Sequence, residues 1–208
     1  MTLKLLDNIT VIDFTQRLPG PFSSYLLKNM GAKVIKIEHI HHQDAFLRGH
    51  LAKIDDCFST WYQELNNNKE VIRFDFDLES DVKKIKTLIE DSDIIISSLP
   101  EKIKDKLSLK KSDIHSFKRP KVFLELKASK DSSHALHDLN ALCETGILKL
   151  FIADKDKDIV APPFLPIAGN SFGHKVATEA LAAYIKVKEN NNTIEHKVNL
   201  YESTKEIH

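Results

Sequence analysis

Residues 9–38 read ITVIDFTQRLPGPFSSYLLKNMGAKVIKIE, and this stretch decides the fold. Ile9–Phe14 is an apolar run of strand length, and a loop with two prolines and a glycine follows it. Phe22–Met30 places large apolar side chains on one helical face, and Gly31 is typical of the residue after a helix. Lys33–Glu38 is a second apolar run. A strand, a helix and a strand in such close succession predict a parallel crossover unit.

The same alternation continues along the chain and predicts further strands and helices. Strands are predicted at Val71–Phe76, Asp93–Ser97, Lys121–Leu126 and His196–Glu202. Helices are predicted at Asp81–Asp91, across the charged segment 99–117, at Leu136–Gly146 and at Ser171–Glu189. We therefore predict a single α/β domain over residues 1–208, with a Rossmann-like, doubly wound and mostly parallel sheet. In such a sheet a ligand binds at the carboxyl ends of the strands.

The composition excludes several classes of protein. The 208 residues hold 30 Lys+Arg and 30 Asp+Glu, so the formal net charge is zero and nucleic acid is a poor candidate partner. No apolar run approaches the ~18 residues of a membrane span, and the N-terminus has no signal-peptide pattern. Cys57 and Cys143 form no CxxC motif, so we expect a cytoplasmic protein without a disulfide framework.

The common nucleotide-binding and hydrolase motifs are missing. The six glycines form neither the GxGxxG pattern nor the GxxxxGK[ST] pattern. The GxSxG pattern is also absent, which argues against an α/β-hydrolase. A nicotinamide-dependent dehydrogenase therefore has only the generic fold in its favour.

Two groups of histidines could carry chemistry. Three of the four residues 39–42 are histidines, where a metal site would need further ligands and a solvated loop is the simpler interpretation. His134, His137 and Asp138 precede an apolar segment, so Asp138 could cap a helix. Asp138 could also act with a neighbouring imidazole in proton transfer, or attack an acyl group as a nucleophile. The pattern alone leaves these alternatives open.

The order of these blocks resembles the class III CoA-transferase family of the CaiB/BaiF type, which includes the α-methylacyl-CoA racemases. Residues 9–39 match the family's opening strand, its loop ending in Gly-Pro, its helix and its Val-Ile-Lys-Ile-Glu strand. NNNKEVIRFDFDLESDVKKIKTLIEDSDIIISS, residues 66–98, is similar to the next block. HDLNALCETGIL, residues 137–148, resembles the catalytic segment, with the His-Asp pair of the racemase-like branch. Residues 162–203 resemble the stretch that follows it.

The resemblance implies an enzyme that acts on CoA thioesters, with Asp138 as its central carboxylate. In CoA transfer the aspartate attacks an acyl-CoA carbonyl, and CoA then passes through an aspartyl thioester to another carboxylate. In 2-methylacyl-CoA racemisation an aspartate and a histidine move the α-proton, and His137 or the upstream His115 would be that histidine. Coenzyme A or an acyl-CoA would be the substrate, and neither a covalently bound cofactor nor a metal is implied.

The resemblance also assigns groups that would bind CoA. The N-terminal loop would contribute Gln16, Arg17, Leu18, Pro19 and Gly20. Basic groups suited to the phosphates fall on His39, Arg48 and Lys106, and Ser98 stands where the family has an Asn-Phe-Arg-Pro-Gly loop.

Members of the family are nearly twice as long as this chain, carry a second, smaller domain and form interlocked dimers. The resemblance therefore implies that these 208 residues lack the second domain, and that a homodimer or a partner subunit completes the site. Two functions stay open, namely an acyl-CoA transferase or racemase, and a catalytically inactive homologue that only binds CoA or an acyl-CoA.

Overall fold

The structure is a computed structural model that describes residues 4–48, 57–129, 137–151, 163 and 165–207. The strands are β1 (Thr10–Phe14), β2 (Lys33–His39), β3 (Glu70–Phe74), β4 (Ile94–Ser97), β5 (Val122–Lys127) and β6 (Ile194–Asn199). The α-helices are α1 (Pro19–Asn29), α2 (Cys57–Asn66), α3 (Glu79–Asp91), α4 (Glu101–Lys106), α5 (Asp138–Glu144), α6 (Ile167–Asn190) and α7 (Leu200–Lys205). Short 3₁₀ helices lie at Ile114–Ser116 and Ile147–Phe151.

The strands form a six-stranded parallel sheet with the order β3-β2-β1-β4-β5-β6. This is the strand order of doubly wound Rossmann-like sheets, so the predicted α/β fold class is confirmed. The chain order reverses between β1 and β4, where Phe14 lies beside Ser97. Ligands of such sheets bind outside the carboxyl ends of the strands at this reversal. The loops that follow Phe14 and Ser97 are therefore the first place to look for a site.

The central strands are apolar throughout because helices cover both faces of the sheet. Val11 and Ile94 point to one face and join a core cluster with residues of α1, α5 and α6. Ile12 and Ile95 point to the opposite face and join a cluster with residues of α3. All four side chains are completely buried, which contributes about 1.5–3 kcal/mol each relative to an exposed position. This two-sided burial explains why the strands read as unbroken apolar runs.

Two of the helices that begin earlier than the sequence predicts gain a turn beside the candidate site. The predicted start at Phe22 moves to Pro19, because proline favours the first helical position, where its missing N–H costs nothing. The predicted start at Ser171 moves to Ile167, directly after Pro166. Both additional turns lie at the carboxyl edge of the sheet and contribute residues to the site described below.

The charged segment 99–117 is helical only in part. α4 ends at Lys106, and Ser108 then adopts a φ of 56° in the left-handed region. Leu107 and Leu109, which flank it, are each 1% exposed and belong to the core cluster on the α3 face. Burial of these two leucines turns the chain inward and ends the helix.

The predicted strand His196–Glu202 is wrong in its second half. β6 ends at Asn199, whose side chain accepts a hydrogen bond from the Glu202 N–H at 2.8 Å. Asparagine is among the best residues for capping a helix N-terminus, and α7 begins directly after it.

Of the helices in the described part of the chain, none combines the length and the apolar content that crossing a bilayer requires.

Candidate functional site

The loop after β1 is held in one conformation by close contacts. A Cβ atom on Gly20 would lie 2.1 Å from Thr15 Oγ1, so only glycine lets the two ends of the loop approach. Arg17 has a φ of 66°, in the left-handed region that non-glycine residues rarely adopt. Its backbone N–H donates a hydrogen bond to Asp44 Oδ2 at 2.8 Å, which fixes this conformation. The loop therefore presents its side chains in a defined arrangement at the end of β1.

A buried group of charges supports this loop. Asp13, Lys36 and Lys69 are all buried, and Lys69 Nζ lies 3.5 Å from Asp13 Oδ2. The Thr15 N–H donates to Asp13 Oδ1 at 2.9 Å, and the Ser24 hydroxyl donates to the other carboxylate oxygen. Lys36 Nζ donates to the Thr15 carbonyl oxygen at 2.6 Å. These contacts tie the start of the loop to the buried charges.

The pKa values in this group reflect burial and mutual attraction. Burial acts to raise the pKa of Asp13, but Lys36, Lys69 and two hydroxyl donors hold that pKa below its ordinary value. Burial lowers the pKa of Lys69 to about 8, against the attraction of Asp13. Asp13 is therefore the carboxylate whose attraction offsets the cost of burying the two lysine ammonium groups.

The larger of two cavities has a volume of about 800 Å³ and opens at the carboxyl ends of β1, β4 and β5. Its walls include residues 15–20, Asp138, the first turn of α6 and the side chains of Phe46, Phe58 and Trp61. The centroids of these three rings lie 5.1 to 6.0 Å apart, and we call them the aromatic wall. The volume lies within the range of about 300–1,000 Å³ that is typical of small-molecule sites.

Asp138 is the first residue of α5 and is half-buried in the wall of the larger cavity. The Gly169 N–H donates to Asp138 Oδ1 at 2.7 Å, and the Ala168 N–H also donates to this carboxylate. The helix cap is the preceding residue His137, so Asp138 is not the cap that one interpretation of the sequence predicts. Its carboxylate instead accepts from the first turn of α6, where N–H groups and the helix dipole favour negative charge.

The pKa of Asp138 is raised, because burial outweighs the two backbone donors. Gly169 makes the close approach possible, since a Cβ there would lie 3.0 Å from Leu18 Cδ2 and 3.5 Å from Asp138 Oδ1. His137 is exposed, lines the same cavity, and donates its N–H to Asn140 Oδ1 at 3.2 Å. The site thus presents a desolvated carboxylate with a defined orientation beside an exposed imidazole.

The smaller cavity, of about 460 Å³, lies beyond the end of β2 and is rich in basic groups. Its lining includes His39, His42, Lys102 and Lys106. Lys106 Nζ forms an ion pair with Asp77, and this pairing lowers the pKa of Asp77. Burial and then the neighbouring His42 lower the pKa of His39. Glu38 and Asp77 also line the cavity, so its charge is mixed, and the exposed Lys102 is the basic group on which a proposal of anion binding depends.

Gln16 and Ser98 line both cavities. They follow β1 and β4, the two strands between which the chain order reverses. One elongated ligand could therefore occupy both cavities by passing these two residues. The two cavities therefore adjoin at Gln16 and Ser98, at the position where this fold binds ligands.

A group of potential metal ligands lies at the edge of the smaller cavity. His39, Asp75 and Asp77 place one ligand atom each within 4.8 Å of one another. Asp77 is already paired with Lys106, and its N–H donates to Asp75 Oδ1 at 2.9 Å. These side chains are engaged with protein groups, and we assign no metal to them.

The structure brings together most of the residues that the sequence singles out. The larger cavity contains Arg17, Leu18, Pro19, Gly20, His137 and Asp138; the smaller contains His39 and Lys106; both contain Gln16 and Ser98. Arg48 lines neither cavity and is exposed, with its N–H donating to the Asp44 carbonyl at 2.9 Å. His134 lies outside the described residues.

His115 is not placed near Asp138. It is exposed on the 3₁₀ helix that precedes β5, whereas Asp138 follows the carboxyl end of that strand. His115 lines neither cavity. Its weak match to the family therefore gains no support from the geometry.

The residues that line the cavities but are not among the predicted site residues include Phe58, Trp61 and Lys102. Phe58 and Trp61 belong to α2, which the sequence interpretation does not contain. Their spacing with Tyr62 and Leu65 follows i, i+3, i+4 and i+7, and this helical pattern is the signal that could have found them. Lys102 is the second residue of α4. The sequence of this segment contains several lysines, and its pattern does not indicate that Lys102 lines the cavity together with Lys106.

The chain is similar to known proteins over nearly its whole length. The family model described as CoA-transferase family III matches residues 6–206. The probable fatty acyl-CoA transferase Rv3272 of Mycobacterium tuberculosis is 25% identical over 191 residues, which are 90% of this chain and 48% of that protein. The formyl-CoA:oxalate CoA-transferase of Streptomyces coelicolor is 34% identical over 98 residues, covering 47% of this chain and 23% of that protein.

Solved structures agree with this assignment at the level of the fold. A CAIB/BAIF family protein from Brucella suis has a TM-score of 0.84 at 18% identity, covering 99% of this chain and 55% of that one. A crystal structure of Rv3272 has a TM-score of 0.82 at 24% identity, covering 100% and 58% of the two chains. The chain spans about half the length of the curated relative Rv3272. With the family match over residues 6–206, this chain belongs to CoA-transferase family III.

Proposed function

We propose that this chain binds an acyl-CoA and carries the central carboxylate, Asp138, of a reaction that transfers CoA between carboxylates. The observation that carries the proposal is the position of Asp138, which faces the larger cavity with its carboxylate bound to the first turn of α6. The names of the relatives support the class of reaction, since they include a probable fatty acyl-CoA transferase and a formyl-CoA:oxalate CoA-transferase.

The two cavities fit the two ends of a CoA thioester. The basic lining of the smaller cavity suits the phosphates of the nucleotide end, with Lys102 and His42 beside the predicted His39 and Lys106. The pantetheine arm would pass Gln16 and Ser98, which line both cavities. The thioester would then reach the larger cavity, where Asp138 lies.

In the proposed reaction Asp138 attacks the thioester carbonyl through a carboxylate oxygen, and the CoA thiolate leaves. The thiolate then attacks the Asp138 carbonyl of the mixed anhydride, which releases the donor as a carboxylate and forms an aspartyl-CoA thioester. The acceptor carboxylate attacks that thioester and expels the CoA thiolate, which leaves a second mixed anhydride between Asp138 and the acceptor. The thiolate then attacks the acceptor carbonyl of this anhydride, which forms the acceptor thioester and releases Asp138 as a carboxylate. Burial of Asp138 makes its carboxylate more basic and hence more nucleophilic, and the α6 donors keep it ionised.

Racemisation is the alternative reaction for the same site. It needs two groups on opposite faces of the α-carbon, but His137 and Asp138 are consecutive residues that line one cavity together. In the part of the larger cavity that the described residues form, no second histidine or carboxylate faces this pair. This arrangement favours CoA transfer over proton transfer.

A second polypeptide segment is part of the proposal. The chain spans 48% of the length of the relative Rv3272. We propose that a second polypeptide, either a second copy of this chain or a partner subunit, contributes further walls to the site. A homodimer and a cytoplasmic location both stay predictions.

The decisive experiment replaces Asp138 with asparagine, which keeps the shape and removes the nucleophile. Butyryl-CoA is mixed with deuterated butyrate, and mass spectrometry follows the label into butyryl-CoA. This exchange needs no knowledge of the natural acceptor. We expect the unmodified chain to exchange the label and Asp138→Asn to lose at least about a thousand-fold of the rate, while CoA binding persists. The control is Asp7→Asn, since Asp7 is exposed and remote from both cavities.

Other results separate the remaining possibilities. Exchange by Asp138→Asn at the unmodified rate would contradict the proposed role of Asp138. Incorporation of solvent deuterium at the α-carbon of 2-methylbutyryl-CoA without label exchange would identify the racemase. Binding of CoA by a chain that does neither reaction would identify an inactive CoA-binding homologue.

A further inference from the structure

We infer that the larger cavity selects an extended apolar acyl group, which lies against the aromatic wall formed by Phe46, Phe58 and Trp61. This inference rests on the proposed function and specifies its substrate class. It separates acyl-CoAs with hydrocarbon chains from those whose acyl group ends in a second carboxylate.

The aromatic wall lies outside the two core clusters on the faces of the sheet, and two of its rings are partly exposed toward the larger cavity. The two core clusters on the faces of the sheet do not include Phe46, Phe58 or Trp61. Phe46 is 5% exposed, whereas Phe58 and Trp61 are half-buried and line the cavity. Packing of the three rings on one another gives a stiff apolar surface beside the proposed reaction centre.

The direction of the ligand places the acyl group on this surface. The nucleotide end is proposed for the smaller cavity, and the carbonyl must reach Asp138. An acyl group extends from the carbonyl away from the pantetheine arm, so it occupies the remaining space of the larger cavity. Apart from the aromatic wall, that space is bordered by further apolar side chains, among them Leu126, Phe172 and Leu200.

The charges of the cavity disfavour a second carboxylate on the acyl group. Asp138 is itself negative and would repel it. Lys127 lines the cavity, but its ammonium group lies 2.8 Å from Glu125 Oε1 and is already paired. Arg17 also lines the cavity but is exposed, so water screens its charge. A terminal methyl group would instead gain from leaving water.

The test measures binding of acyl-CoAs to the full chain by titration calorimetry, without any acceptor carboxylate. Butyryl-CoA and succinyl-CoA have acyl groups of equal carbon number and differ in a terminal methyl or carboxylate. We expect butyryl-CoA to bind at least about five-fold more tightly than succinyl-CoA. We expect octanoyl-CoA to bind at least about ten-fold more tightly than butyryl-CoA, because each buried methylene tightens binding up to about four-fold.

Substitutions locate the effect on the aromatic wall. Trp61→Ala should reduce the octanoyl-to-butyryl ratio to below about three-fold and leave the affinity for free CoA unchanged. Trp61→Phe, which keeps an aromatic ring, should retain most of the preference. Ile185→Ala is the matched control, since Ile185 is 59% exposed and lines neither cavity.

The outcomes distinguish this inference from the proposed function. Equal affinity for butyryl-CoA, octanoyl-CoA and free CoA overturns the acyl preference and leaves CoA binding intact. Succinyl-CoA that binds as tightly as butyryl-CoA also overturns the inference. If Arg17→Ala then weakens the binding of succinyl-CoA alone, Arg17 is the residue that binds the second carboxylate. Failure to bind any CoA thioester contradicts the proposed function itself.

Discussion

At the scale of single residues, Asp13 connects the interior to the site. Lys36 and Lys69 would be costly to bury alone, since an unpaired ammonium group loses its hydration. Asp13 supplies their counter-charge and also binds the backbone of Thr15, which begins the loop of the larger cavity. The same carboxylate therefore stabilises the fold and fixes the geometry of the loop.

We predict that Asp13→Asn destabilises the protein by about 3–5 kcal/mol at pH 6.5, because it leaves buried ammonium groups without a counter-charge. The loss should shrink as the pH rises toward 9. Without Asp13 the folded-state pKa of Lys69 falls below its present value of about 8, whereas the unfolded chain keeps the ordinary value of 10.5. The folded variant therefore binds fewer protons than the folded native chain in this range, and its stability rises faster with pH.

Urea denaturation at pH 6.5 and pH 9 measures this difference. Asp7→Asn removes an exposed carboxylate and serves as the control, with an expected change within about 0.5 kcal/mol at both pH values. A deficit for Asp13→Asn that stays constant or grows with pH would show that charge burial is not its cause.

At the scale of elements, the contact between α1 and α6 determines how the site closes. Gly173 on α6 is buried against α1, where a Cβ atom would lie 2.6 Å from Phe22 Cδ1 and 2.9 Å from the Pro19 carbonyl oxygen. Pro19 belongs to the lining of the larger cavity, and so does Gly169, one turn earlier on α6. The distance between these two helices therefore sets the width of the cavity at Asp138.

We predict that Gly173→Ala destabilises the protein by about 1–3 kcal/mol, since the added methyl group must push α1 and α6 apart. Helix propensity alone predicts the opposite sign, a gain of about 1 kcal/mol for alanine over glycine inside a helix. The sign of the change in unfolding free energy, measured by urea denaturation, therefore decides between packing and propensity. A stabilised variant would mean that the helices contact each other less closely than the structure indicates.

At the scale of the whole molecule, the sequence predicts what depends on local pattern. Apolar runs predict the central strands, and the Gly-Pro loop and Gly31 mark the ends of the first crossover, with Gly31 at a φ of 108°. The hydrogen bond between Asp138 and Gly169 joins residues 31 positions apart, so it depends on how α5 meets α6. No local sequence pattern specifies how two distant helices pack. For the same reason the sequence does not reveal that His115 lies away from Asp138.

α2 is a helix that the sequence pattern does not predict, for a different reason. Its apolar stripe is regular, but the stripe includes Phe58 and Trp61, which face a cavity rather than the core of the sheet. A pattern of strands and crossover helices accounts only for elements that cover the sheet. α2 contributes to the site, and such a pattern does not require this helix.

The whole-molecule prediction is that the two cavities bind the two ends of one ligand separately. In the full chain, 3′,5′-ADP should bind in the smaller cavity and S-octanoylpantetheine in the larger. Lys102→Glu should weaken 3′,5′-ADP about five-fold or more at low salt, because it reverses a charge beside the phosphates, and should leave S-octanoylpantetheine unaffected. Trp61→Ala should weaken the binding of S-octanoylpantetheine and leave the binding of 3′,5′-ADP unaffected.

Octanoyl-CoA, which joins both ends, should be weakened by either substitution. The effects should add in the double variant because Lys102 and Trp61 line different cavities. Titration calorimetry at two salt concentrations measures all three ligands, and added salt should weaken 3′,5′-ADP more than S-octanoylpantetheine. If Lys102→Glu and Trp61→Ala each weaken both fragments, the cavities form a single site. The separate binding of the two ends on the two sides of the strand reversal would then be wrong.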